Sequence, residues 1–538
     1  KEGNLLKKVR PSDIRDFALI PDYALYEDNR LKYYQSFVNT YPYTVEYSYE
    51  RVYKGQVGFP EWSPVKGYNL GVQEAVFTIR CNNDYQIRIL EKNLSRQRKE
   101  KKDGDEIIRK WEVKNLTPYE IEPFSRGLSE QVPKVILAPL KFYYDGYDGT
   151  FDDWKSYGRW VYRLIRNRDQ LPQPLIKKMQ HLTAGLKDTL EIIRHIYRYM
   201  QENTRYVSLQ YGLGGYQPFP ASKVAEVGYG DCKALSNFTK ALLNAAGIKF
   251  YYTEIGSGQT YIKYPRFASL HQTNHVILCV PLQKDTIWLE CTHPYYPAGY
   301  IGSSNSDRYA LLVTPEGGKL AKTPVYNENS NYQYSKGRFF ILSDGSIKGS
   351  VSIKREGLQY ENQLSWIYKS KKEQRKELLK DLPFNSLNLE EFSCKNLREE
   401  GPKAKSTIQL TANKHAKKLG KRIILELNLF NQISTIPKKL KRRKTKIYFP
   451  YGFYEKDSLS FVLPDNYKPE YIPSPEVIHS AFGRYKIEVH ANNDTVCYIR
   501  ELICKKGTYL ASSYKECIDF FTRIVEKDHA SLVLIRKD

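Results

Sequence analysis

The chain is 538 residues long, too long for one ordinary hydrophobic core, so roughly two to four domains are expected. A hydrophobic fraction of 41% is ample for packed interiors, yet no run of about 18 apolar residues occurs, which excludes a membrane-spanning helix. The formal charge of +24 invites a nucleic-acid reading, but Lys and Arg are spread along the chain and not gathered on a recognisable motif, so no nucleic-acid partner is expected.

Residues 1–168 read as a mostly-β, sandwich-like domain. Tyr43-Thr44-Val45-Glu46-Tyr47-Ser48-Tyr49 alternates, as do residues 75–80 and 85–89, with Asn82-Asn83-Asp84 as the turn between the later pair. The basic run 96–102 ends in Asp103-Gly104, a hairpin-turn signal. Near Trp154 the pattern becomes helical, and Leu171-Pro172-Gln173-Pro174 marks the start of a second domain, residues 169–324.

Within that second domain Leu186, Leu190, Ile193, Tyr197 and Met200 form a helical stripe, followed by a glycine-rich stretch over 211–220. A second helix begins at Cys232, and strands are expected at 250–255, 275–282 and 286–292. Helices followed by antiparallel strands make an α+β order, not a βαβ one. Residues 325–538 return to strand-like alternation, with Leu342-Ser343-Asp344-Gly345-Ser346 as a turn, a charged helix at 371–380, a strand at 484–489, a helix at 514–525 and a strand at 530–535. The densest basic run, Lys438-Lys439-Leu440-Lys441-Arg442-Arg443-Lys444, reads as a solvated loop between strands, with docking on an anionic surface as the alternative.

Eight cysteines are too sparse for a disulfide scaffold, and none forms a CxxC pair. No metal site is legible, no other cofactor is expected, and no disulfide is assigned. Cys232 stands apart from the other seven. In Gly228-Tyr229-Gly230-Asp231-Cys232-Lys233 the aspartate is a good N-cap, which puts the cysteine at the first helical position. Leu235, Phe238, Leu242 and Ala245 then form one buried face, and Gly247 suits a left-handed helix end. Free N–H groups and the positive end of the helix dipole favour a thiolate over a thiol at such a position. Cys232 is therefore a candidate nucleophile.

A thiolate needs a base, and the base an orienting group. His275 opens the apolar strand Asn274-His275-Val276-Ile277-Leu278-Cys279-Val280, and Ile287-Trp288-Leu289-Glu290-Cys291-Thr292 follows a short turn. A hairpin folded about 283–284 sets Ile277 opposite Glu290 and His275 opposite Thr292, so that His275 and Glu290 meet diagonally on one face. Singly, the three have ordinary structural readings: a buried thiol, a strand-end histidine and a solvent-facing glutamate. Their joint order selects the chemical one. His271 and His293 read as surface residues.

The segments Gly-Tyr-Gly-Asp-Cys-Lys at 228–233, Asn-His-Val at 274–276 and Trp-Leu-Glu-Cys-Thr at 288–292 resemble the transglutaminase-like core of the papain-like thiol superfamily. The resemblance extends upstream through Asn203-Thr204-Arg205-Tyr206-Val207 and Gly215-Tyr216-Gln217-Pro218, and the flanks resemble the β-rich domains of unknown function that bracket such cores in bacterial envelope proteins. It implies Cys232 as nucleophile, His275 as base and acid, and Glu290 as the orienting carboxylate. The oxyanion would rest on the Cys232 N–H and one side-chain donor, with Gln217 as the candidate. Such cores usually carry aspartate at the position of Glu290; glutamate keeps the charge and holds the imidazole farther from its strand.

The function implied is a thiol enzyme acting on amide or peptide bonds through a cysteine thioester, with hydrolysis favoured over cross-linking. A weak or inactive scaffold whose β domains contact glycan or protein is the alternative. The expected partner is a protein, peptide or peptidoglycan-like amide. The chain starts at Lys1 without methionine or a signal-like segment, so a removed leader and a trimmed chain both stay open. The family's setting implies an exported, periplasmic or cell-surface protein.

Overall fold

The computed structural model describes residues 5–18, 24–27, 30–38, 43, 57–210, 212–384 and 386–537. The strand expected over 43–49 lies outside the described residues apart from Tyr43.

In the N-terminal region, alternating sequences form β1 (Val72–Asn82), β2 (Ile87–Lys92), β3 (Lys99–Asp103), β4 (Glu106–Leu116) and β5 (Lys134–Pro139). Gly104, at φ +63°, turns β3 into β4, as the Asp-Gly pair requires. One sheet runs β1–β4–β3, and β2 pairs with β5 in a second. Trp111 fills the space between them and stacks on Phe77, while its indole N–H donates to Glu91 Oε1 at 2.8 Å. Strand β5 faces both ways: Val135 and Leu137 enter this small core, whereas Ile136 and Ala138 enter the core of the central unit. The two units thus share a strand by its period of two.

The central unit contains α1 (Trp154–Ile165), α2 (Gln173–Leu182), α3 (Thr189–Asn203), α4 (Ala221–Val227) and α5 (Cys232–Ala245). Its antiparallel sheet has the order β8–β7–β6–β9–β10, from β6 (Tyr251–Ile255), β7 (His275–Pro281), β8 (Thr286–Leu289), β9 (Tyr309–Thr314) and β10 (Gly317–Lys322). Helices cover one face with Leu235, Phe238 and Leu242 of α5 and Ile193, Tyr197 and Met200 of α3. The expected boundary at 168/169 is corrected by α1, which buries Trp154, Tyr157, Trp160 and Val161 in this same core and packs on β9 and β10. Pro172 opens a helix within the unit, not the unit itself.

The C-terminal region builds an eight-stranded sheet from β11 (Tyr332–Ile341), β12 (Ile347–Glu356), β13 (Leu387–Asn396), β14 (Lys403–Ala412), β15 (Phe453–Val462), β16 (Glu476–Ser480), β17 (Gly483–Asn492) and β18 (Thr495–Cys504), in the order β13–β14–β12–β11–β15–β18–β17–β16. All neighbours are antiparallel except β11 and β15. Helices α6 (Leu358–Ile367) and α7 (Lys371–Asp381) follow β12, and α8 (Tyr514–Asp528) follows β18. A four-stranded sheet shares the large core through Ile423, Leu425, Leu532 and Leu534. The whole is an α+β protein with mostly-β flanks. No helix among the described residues is long and apolar enough to cross a membrane.

Candidate active site

Helix α5 starts where its sequence directs. Asp231 is extended and accepts the Ala234 N–H at 2.9 Å, so Cys232 takes the first helical position, where its own N–H has no intrahelical acceptor. Gly230 is needed behind it, since a Cβ there would stand 2.7 Å from Ala234 Cβ. The Cys232 side chain is 5% exposed. Ser236, one turn along, donates to the Val276 carbonyl at 3.1 Å and ties the helix start to the strand that carries His275.

Strands β7 and β8 pair Leu278 with Leu289 and Cys279 with Trp288, and extending this register sets Ile277 across from Glu290 and His275 across from Thr292. The imidazole and the carboxylate meet: His275 Nε2 lies 2.8 Å from Glu290 Oε2. Cys232 is a close electrostatic neighbour of the same ring and favours its charged form. With Nε2 committed to Glu290, Nδ1 is the nitrogen left for the sulfur.

Glu290 is held on both oxygens. Thr292 donates to Oε1 from its backbone N–H at 3.0 Å and from its hydroxyl at 2.5 Å, and Asn305 Nδ2 donates to Oε2 at 2.7 Å. Tyr197, from α3, donates to the Glu290 carbonyl at 2.6 Å. Burial opposes the charge on Glu290, but His275 and Thr292 outweigh it and hold the carboxyl below its usual range. Burial likewise opposes charge on His275, and Glu290 with Cys232 overcomes it, raising the imidazole well above its ordinary value. Both shifts describe an imidazolium–carboxylate pair.

A second buried charge cluster lies beside Cys232. Lys233 is 6% exposed and pairs with Asp231. Glu254, on β6, accepts from the Tyr157 hydroxyl at 3.0 Å and from Thr273 Oγ1 at 3.2 Å; burial nonetheless pushes its carboxyl up to about 7.

Gln217 requires a correction. Its amide donates to the Leu164 carbonyl at 3.2 Å and to the Tyr147 hydroxyl at 3.3 Å, and its carbonyl accepts from Arg168. The glycine-rich loop folds onto the end of α1, so the side chain expected at the oxyanion fastens that loop instead. The Cys232 N–H is the donor the helix start supplies. His293 is also corrected: it stacks on Tyr296 at 3.6 Å between centroids, accepts the Tyr295 N–H at 3.2 Å, and burial pushes it down to about 4. His271 is exposed as expected and bonds the Phe59 carbonyl. Asn305 was missed, because it sits in the loop Gly302-Ser303-Ser304-Asn305-Ser306, whose sequence carries no periodicity to place it. Thr292 carried a faint signal, as the residue that closes the Trp-Leu-Glu-Cys-Thr segment.

A cysteine at a helix start, with a histidine on the strand next to the edge of an antiparallel sheet and a carboxylate just past the end of the edge strand, fits a papain-like fold. Residues 176–291 match the transglutaminase-like superfamily, residues 1–120 the domain of unknown function DUF3857, and residues 421–534 the domain of unknown function DUF3858. The chain therefore carries a transglutaminase-like core bracketed by those two domains. No curated protein matches it in sequence. A crystal structure from Parabacteroides distasonis, provisionally described as a protease, superposes with a TM-score of 0.54 at 12% identity, covering 89% of this chain and 75% of that one. A Cytophaga hutchinsonii protein, provisionally described as a cysteine protease, gives a TM-score of 0.19 at 10% identity over 43% of this chain and 68% of its own. The first of these likenesses speaks to the fold.

Proposed function

We propose that the protein is a cysteine-dependent amidohydrolase with Cys232 as nucleophile, His275 as base and acid, and Glu290 as the carboxylate that orients the imidazole. The observation that carries this reading is the 2.8 Å contact of His275 with Glu290, made on the strand that Ser236 ties to the start of the Cys232 helix. The sulfur attacks an amide carbonyl carbon, and the resulting oxyanion meets the Cys232 N–H. The C–N bond breaks as the leaving amine takes a proton from His275, leaving a thioester. Water then gives a proton to His275 and attacks the thioester, and the carboxylic acid departs as the sulfur recovers its proton.

Hydrolysis is favoured over transfer to an amine, in keeping with the protease description of the Parabacteroides structure. The substrate class is a protein, peptide or peptidoglycan-like amide, met by an exported protein in the periplasm or at the cell surface. The basic surface supports docking on an anionic layer, which salt-sensitive retention on heparin would report. The burial of Cys232, 5% exposed, favours a second reading in which the core binds without turning over.

Iodoacetamide labelling separates the two. The enzyme reading expects Cys232 to be alkylated at about pH 7 ahead of Cys497, the exposed cysteine, and His275→Ala to slow it at least tenfold. Labelling of Cys232 only on unfolding would favour the scaffold. Release of free amine from casein peptides, without incorporation of dansylcadaverine, would distinguish hydrolysis from cross-linking.

A further inference from the structure

The face of the C-terminal sheet beneath α6 mixes a polar cluster with the apolar side chains of Ile353 and Ile408. The register sets Arg355 of β12, Gln333 of β11 and Glu455 of β15 in one rung across three strands. Two residues along, on the same face, Ser335, Asp457 and Arg500 form the next rung. Helix α6 lies beside the first rung with Gln359, Asn362 and Gln363, spaced i, i+3 and i+4; Gln363 is buried against Arg355, and Asn362 is exposed at the rim. Between helix and sheet lies a cavity of about 320 Å³. It shares Gln359, Asn362 and Glu455 with a second cavity of about 290 Å³ that runs to Ser303 of the central unit. Together they make a two-lobed groove of a size that takes small molecules.

Part of this polarity is structural. Arg500 is fully buried and binds Asp528 at 2.8 Å, Asp457 at 3.3 Å and Glu455 at 3.1 Å. Gln333 links Arg355 to Asn431 through bonds of 2.6 and 2.5 Å. The rest of the hydrogen-bonding capacity is unspent. Arg355 uses Nε on Gln333 and one Nη1 hydrogen on Gln363, both neutral oxygens, and no carboxylate lies within ion-pair range among the described residues. Three of its five N–H groups remain. The side chains of Gln359 and Asn362 have no polar partner among the described residues, and Glu455 keeps Oε1 free.

The charges select among ligands. An anion drawn to Arg355 would meet Glu455 and Asp381 on the same lining, and a cation drawn to those carboxylates would meet Arg355. A neutral ligand that donates and accepts at every position suits amides, a guanidinium and a carboxylate together. Vicinal hydroxyls do this, while Phe430 in one lobe and Phe453 in the other offer flat apolar walls to a ring's C–H face. We propose that this groove binds a neutral short saccharide. The site lies in the C-terminal domain apart from Ser303 and goes beyond the thiol chemistry, so it stands or falls separately from Cys232.

The test is calorimetric titration of the full chain with cellobiose, maltose, lactose and N,N′-diacetylchitobiose, with citrate and spermidine as charged controls. At least one disaccharide should bind with a Kd below about 5 mM. Asn362→Ala and Gln359→Ala, which remove no side-chain hydrogen bond within the described residues, should each weaken it about tenfold at unchanged Tm. Cys232→Ala should bind as wild type does. Failure of all four sugars, binding indifferent to both substitutions, or tighter binding of citrate or spermidine than of any sugar would each overturn the proposal.

Discussion

A carboxylate can orient a histidine only if it is itself held, and Asn305 is the part of Glu290's support that comes from outside the hairpin. Its Nδ2 reaches Glu290 Oε2 and the Ile301 carbonyl, while its Oδ1 is buried without a partner. Asn305→Ala should therefore lower kcat about tenfold with KM little changed, whereas Glu290→Gln, which keeps the shape and removes the charge, should cost about 10²- to 10⁴-fold. Equal loss in kcat and in Tm from Asn305→Ala would mark it as a packing residue instead. The coupled shifts set a pH window. A histidine raised above its unfolded value of 6.5 contributes stability that is complete below that value and lost as pH rises through the folded one. Glu290, held below 4.5, contributes fully above that value and loses its share as pH falls through the folded one. The difference in Tm between wild type and His275→Gln should thus be greatest between about pH 4.5 and 6.5 and shrink on the alkaline side. A difference that stays flat across the alkaline range would mean the pair is not ionised.

Among elements, α1 approaches the β9–β10 hairpin more closely than any side chain would allow. A Cβ on Gly158 would stand 2.2 Å from Gly318 N, and one on Gly318 would stand 2.3 Å from the Trp154 carbonyl. In an exposed helix Gly→Ala gains about 1 kcal/mol. Here the sign reverses, because the atoms in the way are backbone and cannot swing aside. Gly158→Ala should lower Tm by at least about 3 °C in a thermal melt, and a rise would show that α1 can shift without cost. This contact also explains what the sequence hid. The α5 start and the β7–β8 register were legible because Asp231, the turn near 283–284 and the strand alternation are local signals. The place of α1 was not, since Gly158 and Gly318 reveal nothing until they meet, and the Pro172 punctuation suggested a boundary that tertiary packing erased. Gln217 was misplaced for a related reason: a glutamine in a glycine-rich loop has no period, and its partners Arg168 and Leu164 lie about fifty residues upstream.

In the whole molecule, the two outer domains touch each other as well as the core between them. Phe124 inserts between Phe449 and Phe521, with ring centroids 4.9 and 5.5 Å away, and Arg126 stacks over Tyr448 at 3.9 Å. Beside them Glu122 accepts the Lys444 and Thr445 N–H groups, each at 2.8 Å, together with the Thr445 hydroxyl, and Arg443 donates to the Pro123 carbonyl at 2.6 Å. The basic run read as a solvated loop is thus exposed at Lys439, Lys441 and Arg442 but anchored at its C-terminal end by the N-terminal domain. Burial opposes the Glu122 charge, yet these donors outweigh it and hold the carboxyl below its usual range. Its contribution is therefore complete above the unfolded value of about 4.5 and lost as pH falls through the folded one. Trypsin cuts only where several residues can leave the fold together, and the exposed lysines here lack that freedom while Glu122 holds the loop. Glu122→Ala should raise the rate of cleavage within 439–444 about tenfold at neutral pH, and the alkylation rate of Cys232 should stay unchanged, because the β7–β8 hairpin is braced by Asn305, Tyr197 and Ser236 inside the central unit. Unchanged cleavage would show that the aromatic insertion alone joins the outer domains. A parallel loss of Cys232 reactivity would show instead that the bracket reaches through β5, the strand both units share, into the site.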